Sequence, residues 1–506
     1  MGILLDERAS TDVVRLGFVR HALKILWIAI VVMTPVLGVW VASSLAAFQN
    51  GPVWAVVLAG LVLFPLGPAA WEGFAEWRRS RRVYAKAHIL TLLDRIILRT
   101  LAINVVFFVG LLGTHPKSGF AAISTRGDWF LEGRHGSGVE SVRRRVFAAA
   151  ATLEWLYEAA NQNPYRDGDR VDPTAGTGAG TVVPVASGTG TSPSPSTSTS
   201  TSMSTTTTTT LYPQPGTLHP AVVGMPPEAE VSIASVAQWV TEHEKDPTQQ
   251  VRALHDWVAD RVAYDGVAYV TKNHPPQDAE TVFRTRRAVC AGYSYLLAAL
   301  GKAAGREIVY VTGDARTEGM AVTGEGHAWN AARLDGRWYL IDATWDSGFL
   351  DGSKFTKKFR SDYLFTLPEA FGVDHFPDDE RWQLVAKPIA RGEFFRQPMM
   401  SPRFFTDGFV LVEPNRSQVS AHGAIDITIK NPRGLFVLAS TSAAGTSGAT
   451  SGKDCTADKP AQRTPDGSVH VRCSFPGPGR YDVHLFANAA EFGSYDYVGQ
   501  LGVNAD

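Results

Sequence analysis

Between residues 25 and 70 the chain carries no charged side chain. That run is too long for a single membrane-spanning helix, which needs about 20 apolar residues. It divides into two spans, 25–48 and 53–71, around Gln49-Asn50-Gly51-Pro52, a turn by composition. A cleaved signal peptide would be shorter and would have no second span directly behind it. A third run, 101–113, has Asn104 as its only strongly polar residue and reads as a third span. Its alternative is a buried helix of a soluble domain.

Arg78, Arg79, Arg81, Arg82, Lys86, Arg95 and Arg99 lie between the second and third runs, and Arg8, Arg15, Arg20 and Lys24 precede the first. Both groups should face the cytoplasm, because positive residues stay on that side. Three spans then put everything after about His115 outside the cytoplasm; two would leave it inside. The expectation is a multi-pass protein of the plasma (inner) membrane, partnered by the lipid bilayer, with its globular part extracytoplasmic.

Behind this membrane domain (1–115), a juxtamembrane helical segment (116–162) carries an amphipathic pattern over 139–160. Val142, Val146, Ala149, Leu153 and Leu156 lie on one side of it. Residues 163–220 have no apolar period, and 191–210 are almost wholly Ser, Thr and Pro, a composition that cannot bury a core. They are expected to form a disordered tether. Helical patterns resume at 233–244 and 247–264, inside a domain at 221–388. From 389 to 506 short strands at 409–412, 425–429, 435–439, 469–473, 481–486 and 495–501 predict an all-β sandwich. A net charge of −1 offers no field for nucleic acid. The three cysteines form no Cys-x-x-Cys pattern and no glycine-rich phosphate loop precedes a helix. Neither a metal nor a cofactor is therefore expected.

Cys290 stands where Arg286-Arg287-Ala288-Val289 meets an apolar helical run through Leu296, Leu297, Leu300 and Ala304. A thiol at a helix N-terminus faces unpaired backbone N–H groups, which favour the thiolate, and Arg284, Arg286 and Arg287 should add to that field. A lone cysteine can equally be a small buried hydrophobe. Two strand-like runs follow, Gly326-His327-Ala328-Trp329-Asn330 and Trp338 to Trp345, joined by Asp335-Gly336, a hairpin signal. With that loop Leu334 pairs with Arg337, His327 faces Thr344, and Trp329 faces Asp342. His327, Trp329, Asp342 and Thr344 then share one face, with His327 and Asp342 as diagonal neighbours. A carboxylate there can hold an imidazole in one tautomer while its other nitrogen faces a thiol. Trp329, Tyr293 and Asn330 are candidates for contacting substrate. Trp345 is either a channel residue or core.

The segments around Cys290, His327 and Asp342, in R-x-V-C-x-G-Y, G-H-A-W-N and I-D-A-T-W, resemble the transglutaminase-like superfamily. In this chain 37 residues separate Cys290 from His327 and 15 separate His327 from Asp342. Asp362-Tyr363-Leu364-Phe365, Pro368-Glu369, His375-Phe376-Pro377 and Arg381-Trp382-Gln383-Leu384 resemble its kyphoscoliosis peptidase, hillarin and cytokinesis protein 3 branch. The resemblance covers about residues 230–505 and implies an α+β papain-like core with a Cys290-His327-Asp342 triad, followed by a β-rich domain. With the transmembrane helices read from the apolar runs and the β-sandwich read from the short strands, the chain is expected to be multidomain. The resemblance implies acyl transfer or hydrolysis at peptide or glutamine amides. Peptidase or amidase action is favoured, on a protein or peptide substrate such as one of the cell envelope. The other reading is a non-catalytic, membrane-tethered peptide-binding or scaffolding protein. Cys455 and Cys473 flank a polar segment of the β-rich region and are expected to form a disulfide across its base, the alternative being two unpaired thiols.

Overall fold

The computed structural model describes residues 4–82, 88–134, 136–161, 163–166, 211–317, 320–444, 455–460, 464 and 466–505, with residues 4–18 described by backbone alone. The tether expected at 163–220 therefore lies largely outside the described residues. The chain forms two compact units, one of residues 1–161 with 391–395, the other of residues 162–390 with 396–506.

In the first unit three helices are long and apolar enough to cross a membrane: Val19–Phe48, Val53–Ser80 and Leu92–Thr114. The third is the informative one, because it is nine residues longer at its N-terminal end than its apolar run suggested. Thr91 caps it through a reciprocal bond with Asp94, which satisfies otherwise orphaned backbone donors. Its 23 residues reach about 35 Å, enough for a bilayer core. Arg95 and Arg99, expected in a loop, instead lie on this helix. Both pair with Glu72 of the second span, at 2.7 Å for Arg95. Val106 and Val109 are 73% and 67% exposed, an apolar surface that water does not favour.

Residues 139–160, expected as one helix, form two, Ser137–Ala151 and Glu154–Ala160. Val142 of the expected apolar side is exposed, while Ala150 and Tyr157 are buried. A helix that no apolar period announced, Pro116–Arg126, is buried along most of its length. It is covered on several sides, so it needs no polar face. Residues 391–395 add Phe395, whose ring meets Tyr157 at 5.4 Å and Phe120 at 6.1 Å.

The second unit opens with α1 (Ile233–His243), α2 (Pro247–Arg261) and α3 (Cys290–Ala303). An antiparallel sheet follows, in the order β4–β3–β2–β1–β5, from β1 (Glu307–Ala315), β2 (Glu325–Leu334), β3 (Arg337–Ile341), β4 (Leu364–Thr366) and β5 (His375–Pro377). Strand alternation sorts the sheet's residues between two cores. Ile308 and Ala332 join Trp257, Leu254, Leu296 and Leu300 of the helices. Val309, Val311, Trp329 and Ala331 join Phe371 and Trp382 on the other face. Each such large side chain contributes on the order of 1.5–3 kcal/mol by burial.

The hairpin register is the expected one: Leu334 pairs with Arg337 and Asn330 with Ile341. Asp335 (φ 48°) and Gly336 (φ 77°) both adopt the left-handed conformation that a two-residue type I′ turn demands. The ladder stops at Ile341, however, and Asp342 to Thr344 leave the strand.

Two sheets make up the β-rich region. One has the order β6–β14–β13–β10, with β8 parallel to β14; the other is β7–β9–β12–β11. The strands are β6 (Met399–Met400), β7 (Val410–Glu413), β8 (Gln418–Ala421), β9 (Ala424–Lys430), β10 (Phe436–Ala443), β11 (Cys455–Ala457), β12 (Ser468–Ser474), β13 (Gly479–Asn488) and β14 (Asp496–Ala505). Ile425, Ile427 and Ile429 alternate inward on β9, as Val469, Val471 and Cys473 do on β12. The strands that went unread, β6, β8 and β11, are too short to display a period. Cys455 and Cys473 are bonded, with Cα atoms 4.0 Å apart. They are directly opposed partners on the successive antiparallel strands β11 and β12, so the bridge crosses that pair and closes the 456–472 segment at its base, as expected.

Candidate active site

Cys290 is the first residue of α3, after Val289 in extended conformation. The Val289 N–H donates to Gln277 Oε1 at 3.0 Å, which fastens the approach to the helix. Gly292 keeps that approach tight: a Cβ there would lie 2.6 Å from the Ala288 Cβ and from Gln277 Oε1. The sulfur is buried; Cys290 is 1% exposed. Two of the three arginines expected to bias it, Arg286 and Arg287, are engaged elsewhere. The Arg286 guanidinium lies over the rings of Trp257 and Phe283, at 4.3 and 4.1 Å. Arg287 pairs with Asp265 at 3.1 Å. Their long stems reach back over α2 and the 263–265 segment, and the cation that interacts with the Cys290 thiol is His327.

His327 comes from β2 and Asp342 from the turn after β3. His327 Nε2 lies 2.7 Å from Asp342 Oδ2, so Nδ1 is the nitrogen left for Cys290. Because the ladder has ended, the Trp345 ring, not Thr344, faces the imidazole, at 5.6 Å. Asp342 Oδ1 accepts from the backbone N–H of Thr344 at 2.8 Å and of Trp345 at 3.3 Å. Burial opposes charge on both partners, but the ion pair outweighs it. Asp342 and Cys290 hold His327 above the usual imidazole range, and His327 holds Asp342 well below the usual carboxylate range.

A second imidazole reaches the same carboxylate oxygen. His375 Nε2 lies 3.2 Å from Asp342 Oδ2, and its Nδ1 lies 2.6 Å from Asp374 Oδ1. The Tyr363 hydroxyl donates to Asp374 Oδ2 at 2.5 Å. Phe371 and Trp345 pack on the His375 ring at 4.0 and 4.4 Å. His327, Asp342 and His375 have donor atoms within 4.8 Å of one another and by type could hold a metal ion. They already satisfy one another through the hydrogen bonds just described.

The three candidate substrate contacts are inside the fold. The Tyr293 hydroxyl donates to Val262 O at 2.7 Å. Asn330 Nδ2 donates to the carbonyls of Ser294 and Val309 at 3.0 and 3.1 Å. Trp329 is 1% exposed against Phe371 and His375. Their polar groups and rings are taken up by the fold itself. Sequence reasoning gave no role to His375, Asp374 or Tyr363, although the Asp-His pair at 374–375 was a usable signal. It also assigned Tyr165 to the tether, although that ring packs against Cys290.

Residues 234–343 match the family model described as Transglutaminase-like superfamily, and residues 391–506 the one described as KY-like, immunoglobulin-like domain. The chain thus carries a transglutaminase-like domain followed by a KY-like, immunoglobulin-like one, the pairing that its resemblance to the kyphoscoliosis peptidase and hillarin branch led one to expect. It is similar to the kyphoscoliosis peptidase of Mus musculus, 34% identical over 36% of this chain and 29% of that protein. Similarity extends to the Lim and transglutaminase domain protein ltd-1 of Caenorhabditis elegans, 29% identical over 21% of this chain and 17% of that one. It extends also to hillarin of Drosophila melanogaster, 28% identical over 16% and 12%. The chain therefore spans less than a third of the length of the curated relatives it matches.

Proposed function

We propose that this chain is a membrane-anchored cysteine enzyme acting at peptide or glutamine amides, with Cys290, His327 and Asp342 as its catalytic residues. The observation that carries the reading is the 2.7 Å contact between His327 and Asp342 beside a cysteine that begins a helix. Cys290 Sγ attacks the amide carbonyl and His327 Nδ1 holds the thiol proton. The oxyanion is met by the Cys290 backbone N–H at the positive end of α3. As the tetrahedral intermediate collapses, the C–N bond breaks and His327 gives its proton to the leaving amine. Water then adds to the thioester with His327 as base, releasing the acid and restoring the thiol. An amine in place of water would give a cross-link. Hydrolysis is the favoured outcome, in line with the peptidase name of the mouse relative. His375 is a positioning residue in this scheme, steering the carboxylate that orients His327. A thiol-directed amide-mimic probe should label the wild type and leave Cys290→Ala unlabelled; equal labelling would discard the mechanism.

The catalytic and β domains are proposed to lie outside the cytoplasm, with protein or peptide as substrate. Three helices of spanning length support an odd number of crossings after a cytoplasmic N-terminus. A reporter fused after Thr210 should behave as extracytoplasmic. Cytoplasmic behaviour would mean that Leu92–Thr114 does not cross.

A further inference from the structure

Residues 163–166, at the start of the expected tether, bring Tyr165 onto the Cys290 cluster. Tyr165 packs on the cluster of Cys290, Ala291, Tyr310 and Ala328, beside Tyr264 and Tyr295. Burial first, then the neighbouring Cys290 sulfur, push its phenol above the ordinary range. The backbone around it is tied down on three sides. The Tyr310 hydroxyl donates to Tyr165 O at 3.0 Å. Asn163 Nδ2 donates to Gly313 O at 2.8 Å, and its Oδ1 accepts from the Tyr165 N–H at 3.0 Å. Arg166 Nη2 meets Asp378 Oδ1 at 2.7 Å. The segment also lies directly against the strand that carries His327: a Cβ on Gly326 would come within 2.8 Å of Asn163 Oδ1 and 3.0 Å of Pro164 Cδ.

These contacts have the character of peptide recognition. Gly313 offers a backbone acceptor at the end of β1. Asp378, whose Oδ2 also accepts from Thr312 at 2.8 Å, offers a carboxylate for a basic side chain. Tyr264, Tyr295 and Tyr310 offer an aromatic wall beside the nucleophile. With Tyr165 packed on its cluster Cys290 is 1% exposed, so an amide carbonyl reaches the sulfur only after a covering side chain moves. The segment is covalently attached, so its local concentration is far above that of any free peptide.

We propose that Asn163–Arg166 is a cis-bound pseudo-substrate that closes the Cys290 cleft, and that the cleft's ligand in trans is a polypeptide presenting an aromatic residue followed by a basic one. The regulatory consequence rests on the reading of Cys290 as a nucleophile, but occupancy of the cleft does not. The test is the rate at which iodoacetamide alkylates Cys290, the free thiol of the chain, in the full-length protein. Tyr165→Ala should raise that rate tenfold or more, and the double variant N163A/R166A should raise it as well. A synthetic peptide of residues 161–168 added to Tyr165→Ala should slow alkylation again, and the same peptide with alanine for the tyrosine should not. Unchanged alkylation in both variants, or no protection by the peptide, would overturn the proposal. Misfolding would unmask the thiol without restoring peptide protection, so protection separates the two. Faster alkylation without amide turnover would sink the enzyme reading and keep the strap. Turnover that is equal in wild type and both variants, with unchanged alkylation, would do the reverse.

Discussion

Cys290→Ala is expected to lower kcat/KM by about a thousandfold or more while leaving the melting temperature within a few degrees of wild type. The loss is large because no other described nucleophile is in contact with His327, and the oxyanion donor and binding groups that remain supply only residual catalysis. The fold survives because a sulfur is replaced by hydrogen at a site where α3 is held by its own apolar face. Asp342→Asn should retain more activity, since the nucleophile stays and only orientation and charge change. Its pH profile carries a further sign. Asp342 raises the His327 pKa, so the alkaline limb, where the imidazolium loses its proton, should move to lower pH in that variant. His375→Asn should shift the same limb in the same direction by less, because it loosens the carboxylate without removing it. Steady-state kinetics across pH on all three variants decides. A Cys290→Ala protein with wild-type turnover would end the mechanism, and a His375→Asn profile that does not move would end the positioning role.

The second large effect concerns a buried charge cluster away from the sulfur. His255 of α2 is wholly buried, 2.9 Å from Asp256 through Nδ1 and 3.1 Å from Asp346 through Nε2. Asp346 accepts the Tyr363 N–H at 3.0 Å, and Asp342 N–H donates to Tyr363 O at 2.9 Å. The cluster thus ties α2 to the turn that carries Asp342. His255→Leu leaves the buried Asp346 without its cation and leaves Asp256 with Arg252 alone, at 3.6 Å, which costs on the order of 3–5 kcal/mol. Thermal melting of the full-length protein in detergent should fall by roughly 5–15 °C at neutral pH. The pH dependence follows from the same pair. Burial opposes a charge on His255, but its two carboxylates push it up to about 9. The folded pKa lies above the unfolded value of about 6.5, so the protonated imidazole stabilises fully below that pH and its contribution fades as pH rises through about 9. The gap between wild type and variant should therefore narrow in alkaline buffer. An equal melting temperature at neutral pH would show that the cluster does not hold the fold.

Local pattern determined much of this protein. The apolar runs announced three long helices, because a stretch apolar enough to cross a bilayer shows in composition alone and needs no partner to be recognised. Asp335-Gly336 determined the hairpin register, since few residue pairs adopt two successive positive φ angles. Alternation of Ile425, Ile427 and Ile429 marked the sandwich, and the two cysteines of its neighbouring strands marked the bridge. Tertiary structure decided the rest. Asp342 reaches His327 from a turn beyond the ladder, because pairing stops at Ile341. His375 reaches the same carboxylate only because β5 folds back beside β1, a contact 33 residues away in sequence. Arg286 stacks on Trp257, and Tyr293, Trp329 and Asn330 are buried with partners inside the fold. Tyr165 lies on Cys290 although its neighbourhood has the composition of a linker. Periodicity is a property of adjacent residues and can be read along a chain. Which groups meet across the fold depends on packing between distant segments, and no local pattern carries that information.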